Sequence, residues 1–131
     1  MVLFCILCLC YDTCQCREKI TGAALAGEGT GMVRHIILWQ LKDALSEEEK
    51  ERVRAKIKEG LEGLQGKIPG LVSIHVQTER LPSLNADLML DCSFTDEAAL
   101  KGYSVHPAHL AVANGVVRPN TKTRTCIDYA E

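Results

Sequence analysis

Residues Val33 to Leu41 read VRHIILWQL, and the fold turns on what these nine residues demand of their surroundings. β-Branched and aromatic side chains dominate them, and the spacing predicts a strand with Val33, His35, Ile37, Trp39 and Leu41 on one face and Ile36 and Leu38 on the other. Both faces are largely apolar. Such a strand must be covered twice, by helices of its own subunit on one side and by something beyond the subunit on the other.

The next segments of the chain supply the first cover. Ser46 precedes Glu47, Glu48 and Glu49, a capping pattern in which Ser46 caps the helix, Glu49 reaches back and the acids favour the positive end of the helix dipole. Val53, Ile57, Leu61, Leu64 and Ile68 then recur every three or four residues as an inward stripe. Gly66 and Pro69-Gly70 help to end that helix. Leu71 to Thr78 alternates Val72, Ile74 and Val76 against Ser73, His75 and Gln77. Ala86 to Phe94 alternates Ala86, Leu88, Leu90, Cys92 and Phe94 against polar partners, so both read as half-buried strands. Pro82, Ser83 and Asn85 mark the loop between them. Thr95 is the expected N-cap of a short helix bearing Ala99, Leu100 and Tyr103. Pro107 starts another through His109 and Leu110 toward Gly115, and pushes His106 into an extended conformation. Thr121 to Tyr129 is a fourth strand. It alternates Thr123, Thr125, Ile127 and Tyr129 against Lys122, Arg124, Cys126 and Asp128.

The order βαββαβ is the α+β, ferredoxin-like arrangement, a four-stranded antiparallel sheet with helices on one face. The other face is left bare, and the simplest cover is the same face of a second copy. The expectation is therefore a homodimer forming a dimeric α/β barrel.

Composition narrows the partners. The 131 residues carry a formal charge of −2, with 47% hydrophobic and 24% charged residues, which fits one globular domain and offers no broad basic footprint for nucleic acid or anionic membranes. The longest apolar run, Val2 to Leu9, is far shorter than the ~20 residues of a membrane span. Five of the seven cysteines, Cys5, Cys8, Cys10, Cys14 and Cys16, crowd the first sixteen positions, which is no disulfide framework for the whole chain. Cys92 and Cys126 lie in strand-like segments and read as small buried hydrophobes in a reducing cell, pointing to the cytoplasm.

Residues 1–31 lack any sustained period and look foreign to the rest of the chain. A cysteine-rich metal clasp fits poorly, because C-x-C pairs lack the usual two-residue gap of structural zinc sites and no histidine is near. An export signal fits poorly too, because no basic start precedes the apolar run. Glu28-Gly29 back-translates to a purine-rich string two codons before Met32. The reading is thus a non-native leader, 1–31, ahead of a working domain, 32–131, that starts at Met32.

The chemistry-bearing residues gather in YSVHPAH, Tyr103 to His109. A phenol and an imidazole are the donor and base that proton abstraction beside a carbonyl needs. The plainer reading stands beside it: Tyr103 packing at a helix end, His106 capping, Pro107 starting a helix, and His35 as a satisfied core histidine. Trp39 reads as core or cavity wall. His106-x-x-His109 has no third metal ligand nearby in the sequence, so no metal and no cofactor is expected.

MVRHIILWQLKD, IPGL, DLMLDCSFTDEAALKGYSVHPAH and the closing DY together resemble the stress-responsive dimeric A/B-barrel (Dabb) family, across Met32 to Tyr129. The family's plant polyketide cyclases close a linear polyketide by an intramolecular aldol step without metal or cofactor. That resemblance implies His109 as the acid/base residue and Tyr103 as the hydroxyl holding the substrate carbonyl. It implies His35 on the cavity wall, with Trp39, Leu88 and His106 as further binding candidates. The chain departs from the cyclases at Leu88, where they carry a histidine. Two functions are compatible with this. One is a homodimer that binds, and by acid/base chemistry transforms, a small hydrophobic carbonyl compound. The other is a non-catalytic structural stress-response homo-oligomer. No motif calls for a cofactor-free monooxygenase of related barrel shape.

Overall fold

A computed structural model describes residues 31–131 of the protein. The expected leader and the start at Met32 concern a segment whose residues 1–30 lie outside the described residues. Strand β1 spans Val33–Leu41, helix α1 Glu47–Glu62, β2 Leu71–Gln77 and β3 Leu88–Phe94. Then come α2 at Glu97–Val105, α3 at Pro107–Val112, a π-helical turn at Ala113–Val117, a last helical turn α4 at Arg118–Asn120, and β4 at Thr121–Ala130. None of these helices is long and apolar enough to cross a membrane.

The strands form one sheet in the order β2-β3-β1-β4, with every neighbouring pair antiparallel. This is the ferredoxin-like topology that the βαββαβ pattern predicts. The inward face of β1 carries Val33, His35, Ile37, Trp39 and Leu41, all buried. Its register sets His35 opposite Cys92, Ile37 opposite Leu90 and Trp39 opposite Leu88 on β3. Ile57 and Leu61 of α1 and Leu100 and Tyr103 of α2 pack onto that face. The opposite face is open: Leu38 and Ile127 are 39% and 59% exposed and Tyr129 is 43% exposed, while a bidentate Arg34–Asp91 pair at 2.6 Å crosses it.

Local chemistry explains the ends of α1. Ser46 Oγ accepts a hydrogen bond from the Glu49 amide at 3.2 Å, and Glu49 Oε2 accepts one from the Ser46 amide at 2.7 Å, so two donors that helix geometry leaves orphaned are satisfied. The helix stops at Glu62, earlier than its apolar stripe, and Leu64 and Ile68 reach the core from the turns beyond it. Gly70 closes this connection at φ +79°, and a Cβ there would stand 2.4 Å from Cβ of Ala99. Only glycine allows β2 to start so close to α2.

Four sequence expectations need correction. Asp96, not Thr95, caps α2, its carboxylate accepting from the Ala99 amide at 2.7 Å, while the Thr95 amide is taken by the Gly70 carbonyl. Strand β3 starts at Leu88, not Ala86. Val72 is exposed because a bulge between Leu71 and Ser73 breaks the alternation, a break no single-strand pattern reveals. Cys126 is exposed, since β4 is an edge strand paired only with β1. Arg54 of α1, outside the apolar stripe, is 1% exposed. Its guanidinium meets Glu51 Oε1 at 2.5 Å and Asp87 Oδ1 at 3.7 Å, the pairing that a buried charge requires.

Candidate functional site

Tyr103 lies on the last turn of α2, where His106 breaks the helix. His106 is extended, at φ −65° and ψ 132°, as a residue before proline must be. Its ring Nδ1 accepts a hydrogen bond from the Ala108 amide at 3.2 Å, so His106 caps α3 and does not line the cavity. Pro107 then opens α3, its missing N–H costing nothing at a first helical position. His109 lies within the first turn and folds back over the joint, its ring centroid 4.2 Å from that of Tyr103 with planes 35° apart. The helix break thus brings together two residues that one continuous helix would have separated.

His35 completes an aromatic cluster from β1. Its ring centroid is 6.1 Å from Tyr103 and 6.3 Å from Phe94, both edge-on. The β1–β4 register sets His35 opposite Asp128, and His35 Nδ1 lies 2.5 Å from Asp128 Oδ1. A carboxylate only accepts, so Nδ1–H is the donor. In the neutral ring Nε2 is then left as the acceptor. Cys126 Sγ stands 3.4 Å from the same carboxylate oxygen.

Among the described residues, His35, Cys126 and Asp128 are the group able to hold a metal ion, their ligand atoms lying within 4.8 Å of one another. A metal there would have to replace the proton shared by His35 and Asp128.

His35, Tyr103 and His109 border a cavity of about 320 Å³ between the sheet and the helices, at the small end of ligand-binding pockets. Ile37, Trp39, Leu61, Leu90, Ala113 and Val117 form its apolar walls. His35, Tyr103, Ser104 and His109 form its polar end. Arg118, Thr121, Lys122, Thr123 and Arg124 line the remainder. Leu88 does not border it: Leu88 is buried opposite Trp39, and Leu90, one inward position along β3, takes the wall position.

Two atoms at the polar end stand out. Tyr103 Oη and His109 Nδ1 are buried without a hydrogen-bond partner of good geometry, in a setting where the large majority of buried polar atoms have one; only the weakly bonding Cys92 thiol interacts with the hydroxyl, and the Ser104 backbone with the imidazole. Burial pushes the Tyr103 hydroxyl's pKa up, so it stays protonated as a donor. Burial pushes the imidazolium of His109 down, against an opposing backbone interaction with Ser104, so its ring is neutral near pH 7. The neighbouring Cys92 thiol is pushed up to about 12 by its own burial and is inert as a nucleophile. A neutral imidazole and a protonated phenol, face to face beside an apolar cavity, can take one proton and hold one oxyanion.

The geometry defines a ferredoxin-like α+β protein whose helical layer and sheet enclose a small amphipathic cavity. Within that class the chain belongs to the stress-responsive A/B barrel domain (Dabb) family, whose model matches residues 33–131. It is similar to a dimeric protein of ferredoxin-like fold from Bacteroides fragilis, with 33% identity, a TM-score of 0.72, and coverage of 77% of this chain and 97% of that one. A Dabb family protein from Mesorhizobium loti shares 27% identity at a TM-score of 0.61, over 77% of this chain and 97% of that one. A hydroxynitrile lyase from Passiflora edulis shares the fold at 19% identity and a TM-score of 0.59, over 78% and 94% of the two chains. No curated protein matches the chain.

Proposed function

We propose that the cavity binds a small hydrophobic carbonyl compound and that Tyr103 and His109 perform cofactor-free acid/base chemistry on it, of the aldol or cyclase type. The observation that carries this reading is the pair of buried polar atoms, Tyr103 Oη and His109 Nδ1, left without well-formed hydrogen bonds at the cavity's polar end. An unmade buried hydrogen bond costs about 1–3 kcal/mol, and a ligand carbonyl accepting from Tyr103 removes one such cost. In the reaction, His109 takes a proton from the carbon next to that carbonyl, the electron pair moves onto the oxygen, and Tyr103 stabilises the resulting enolate. The enolate carbon then attacks a second carbonyl of the same molecule, and the new alkoxide is protonated by the imidazolium of His109. Atoms and charge balance without an added reactant. Asp128 holds His35 in one tautomer on the adjoining wall.

The test is proton exchange. Full-length protein in D2O with octan-2-one should speed deuterium incorporation next to the carbonyl, followed by NMR, and His109→Gln should abolish the acceleration. Equal rates for the wild type and this variant would remove the catalytic claim.

The open sheet face supports a homodimer. Leu38, Ile127 and Tyr129 are exposed there, and the Bacteroides fragilis protein, 33% identical, is dimeric. Several hundred Å² of apolar area withdrawn from water, at ~25 cal/mol per Å², gives a gross term of several kcal/mol. Sedimentation should find dimers at micromolar concentration and monomers for Ile127→Glu. A monomeric wild type would refute the pairing.

A further inference from the structure

The cavity's charged lining points to the kind of compound it takes. Three cations, Arg118, Lys122 and Arg124, border the cavity, and no aspartate or glutamate does. Lys122 is neutralised by Asp43, whose oxygens lie 2.7 and 2.9 Å from its Nζ. Arg118 and Arg124 have no carboxylate partner among the described residues; Arg118 donates only to the neutral side chain of Asn114. Both arginines are exposed and sit, with Lys122 and Thr123, on the solvent side of a cavity whose apolar walls are buried. They come from different elements, Arg118 from α4 and Arg124 from β4, and both border the cavity. Both guanidinium groups act electrostatically on His109, and Arg124 acts on Tyr103, which brings them within range of the polar end. An unpaired guanidinium offers a fork of N–H donors matched to a carboxylate.

We propose that the ligand is an amphipathic keto acid: a hydrophobic chain whose carbonyl meets Tyr103 and His109 and whose carboxylate is held at the cavity mouth by Arg118 and Arg124. This rests on the reading that the cavity binds a hydrophobic carbonyl compound, and it adds the charge of the molecule and the end by which it is recognised. A cationic or neutral ligand of the same length would leave both guanidinium groups without their counter-charge.

The experiment is a calorimetric titration of the full-length protein with 7-oxooctanoate and with octan-2-one, which differ only in a carboxylate replacing the terminal methyl group. The keto acid should bind about tenfold more tightly, as expected for charge-assisted hydrogen bonds, with the advantage shrinking as salt is raised. Arg118→Gln and Arg124→Gln should each bring the ratio of the two affinities toward one, while Arg124→Lys keeps part of it. Both glutamine variants alter exposed side chains, so an unchanged melting curve certifies their fold. If octan-2-one binds as tightly as the acid, or if the ratio survives in both glutamine variants, the anion proposal falls and the carbonyl-binding reading stands. If neither compound binds, both fall together.

Discussion

Replacing Tyr103 by phenylalanine removes one oxygen from the centre of the site and leaves the ring in place. In the folded protein Tyr103 is 1% exposed and its hydroxyl meets only the Cys92 thiol, outside good hydrogen-bond geometry, so folding strips that hydroxyl of water and returns little. The cost of such an orphaned group is about 1–3 kcal/mol. Because the neighbouring cavity opens toward solvent beside Arg118 and Arg124, the lower end of that range applies, about 1 kcal/mol. Phenylalanine should therefore stabilise the unliganded protein by about that amount, which for a domain of roughly 100 residues raises Tm by ~4–8 °C. Urea denaturation at fixed protomer concentration measures it, since any dimer makes stability depend on concentration. The same variant should lose the thermal shift that octan-2-one produces in the wild type. A Tyr103→Phe protein less stable than the wild type by about 1 kcal/mol or more would show that the hydroxyl makes a structural bond in the folded state. The hydroxyl would then belong to the fold and not to a ligand.

Two further outcomes can be checked. The pKa of His109 is lowered below its ordinary 6.5, first by burial, so the unfolded chain binds this proton more readily than the folded one and its protonation opposes folding. The wild type should lose stability relative to His109→Gln as the pH drops below about 6.5, down to the lowered folded value, with no difference arising from this group above that pH; parallel pH–stability curves would refute it. Gly66 and Gly70 share φ +79°, yet a Cβ at Gly66 meets nothing within 4 Å while one at Gly70 meets Ala99 at 2.4 Å. Gly66→Ala should cost about 1–2 kcal/mol for the left-handed backbone, and Gly70→Ala roughly 3 kcal/mol or more once the clash is added. Equal losses in denaturant would contradict the close approach of β2 to α2.

The periodic parts of the fold were legible because their signals are local. The capping pair Ser46 and Glu49, the alternation of Leu88, Leu90, Cys92 and Phe94, and the X-Pro break at His106 each depend on residues a few positions apart. What escaped depends on pairing between distant strands. The exposure of Val72 comes from a bulge against β3, and that of Cys126 from β4 lying at the sheet edge. Arg54 turns inward because Asp87, thirty-three positions later, is there to meet it. The site divides in the same way. Tyr103, His109 and His35 were named from their types and from a family resemblance, but their convergence comes from the break before Pro107, and spacing alone does not yield it. Asp128 was missed as the partner of His35. The signal was present in the closing Asp-Tyr, which the antiparallel register of the first and last strands brings beside His35. Leu88 was assigned to the wall by resemblance, whereas the register gives that place to Leu90.

The proline joint between the two short helices divides labour within the pocket. Tyr103 and His109 hang from opposite arms of that joint, while Ile37, Trp39 and Leu90 belong to the strands on which the helices pack. Bulk on the strands can therefore change which molecules fit without disturbing the reacting pair, and a shift of one arm can retune reactivity while the volume stays constant. Such a scaffold lets selectivity and chemistry diverge separately, each by single substitutions.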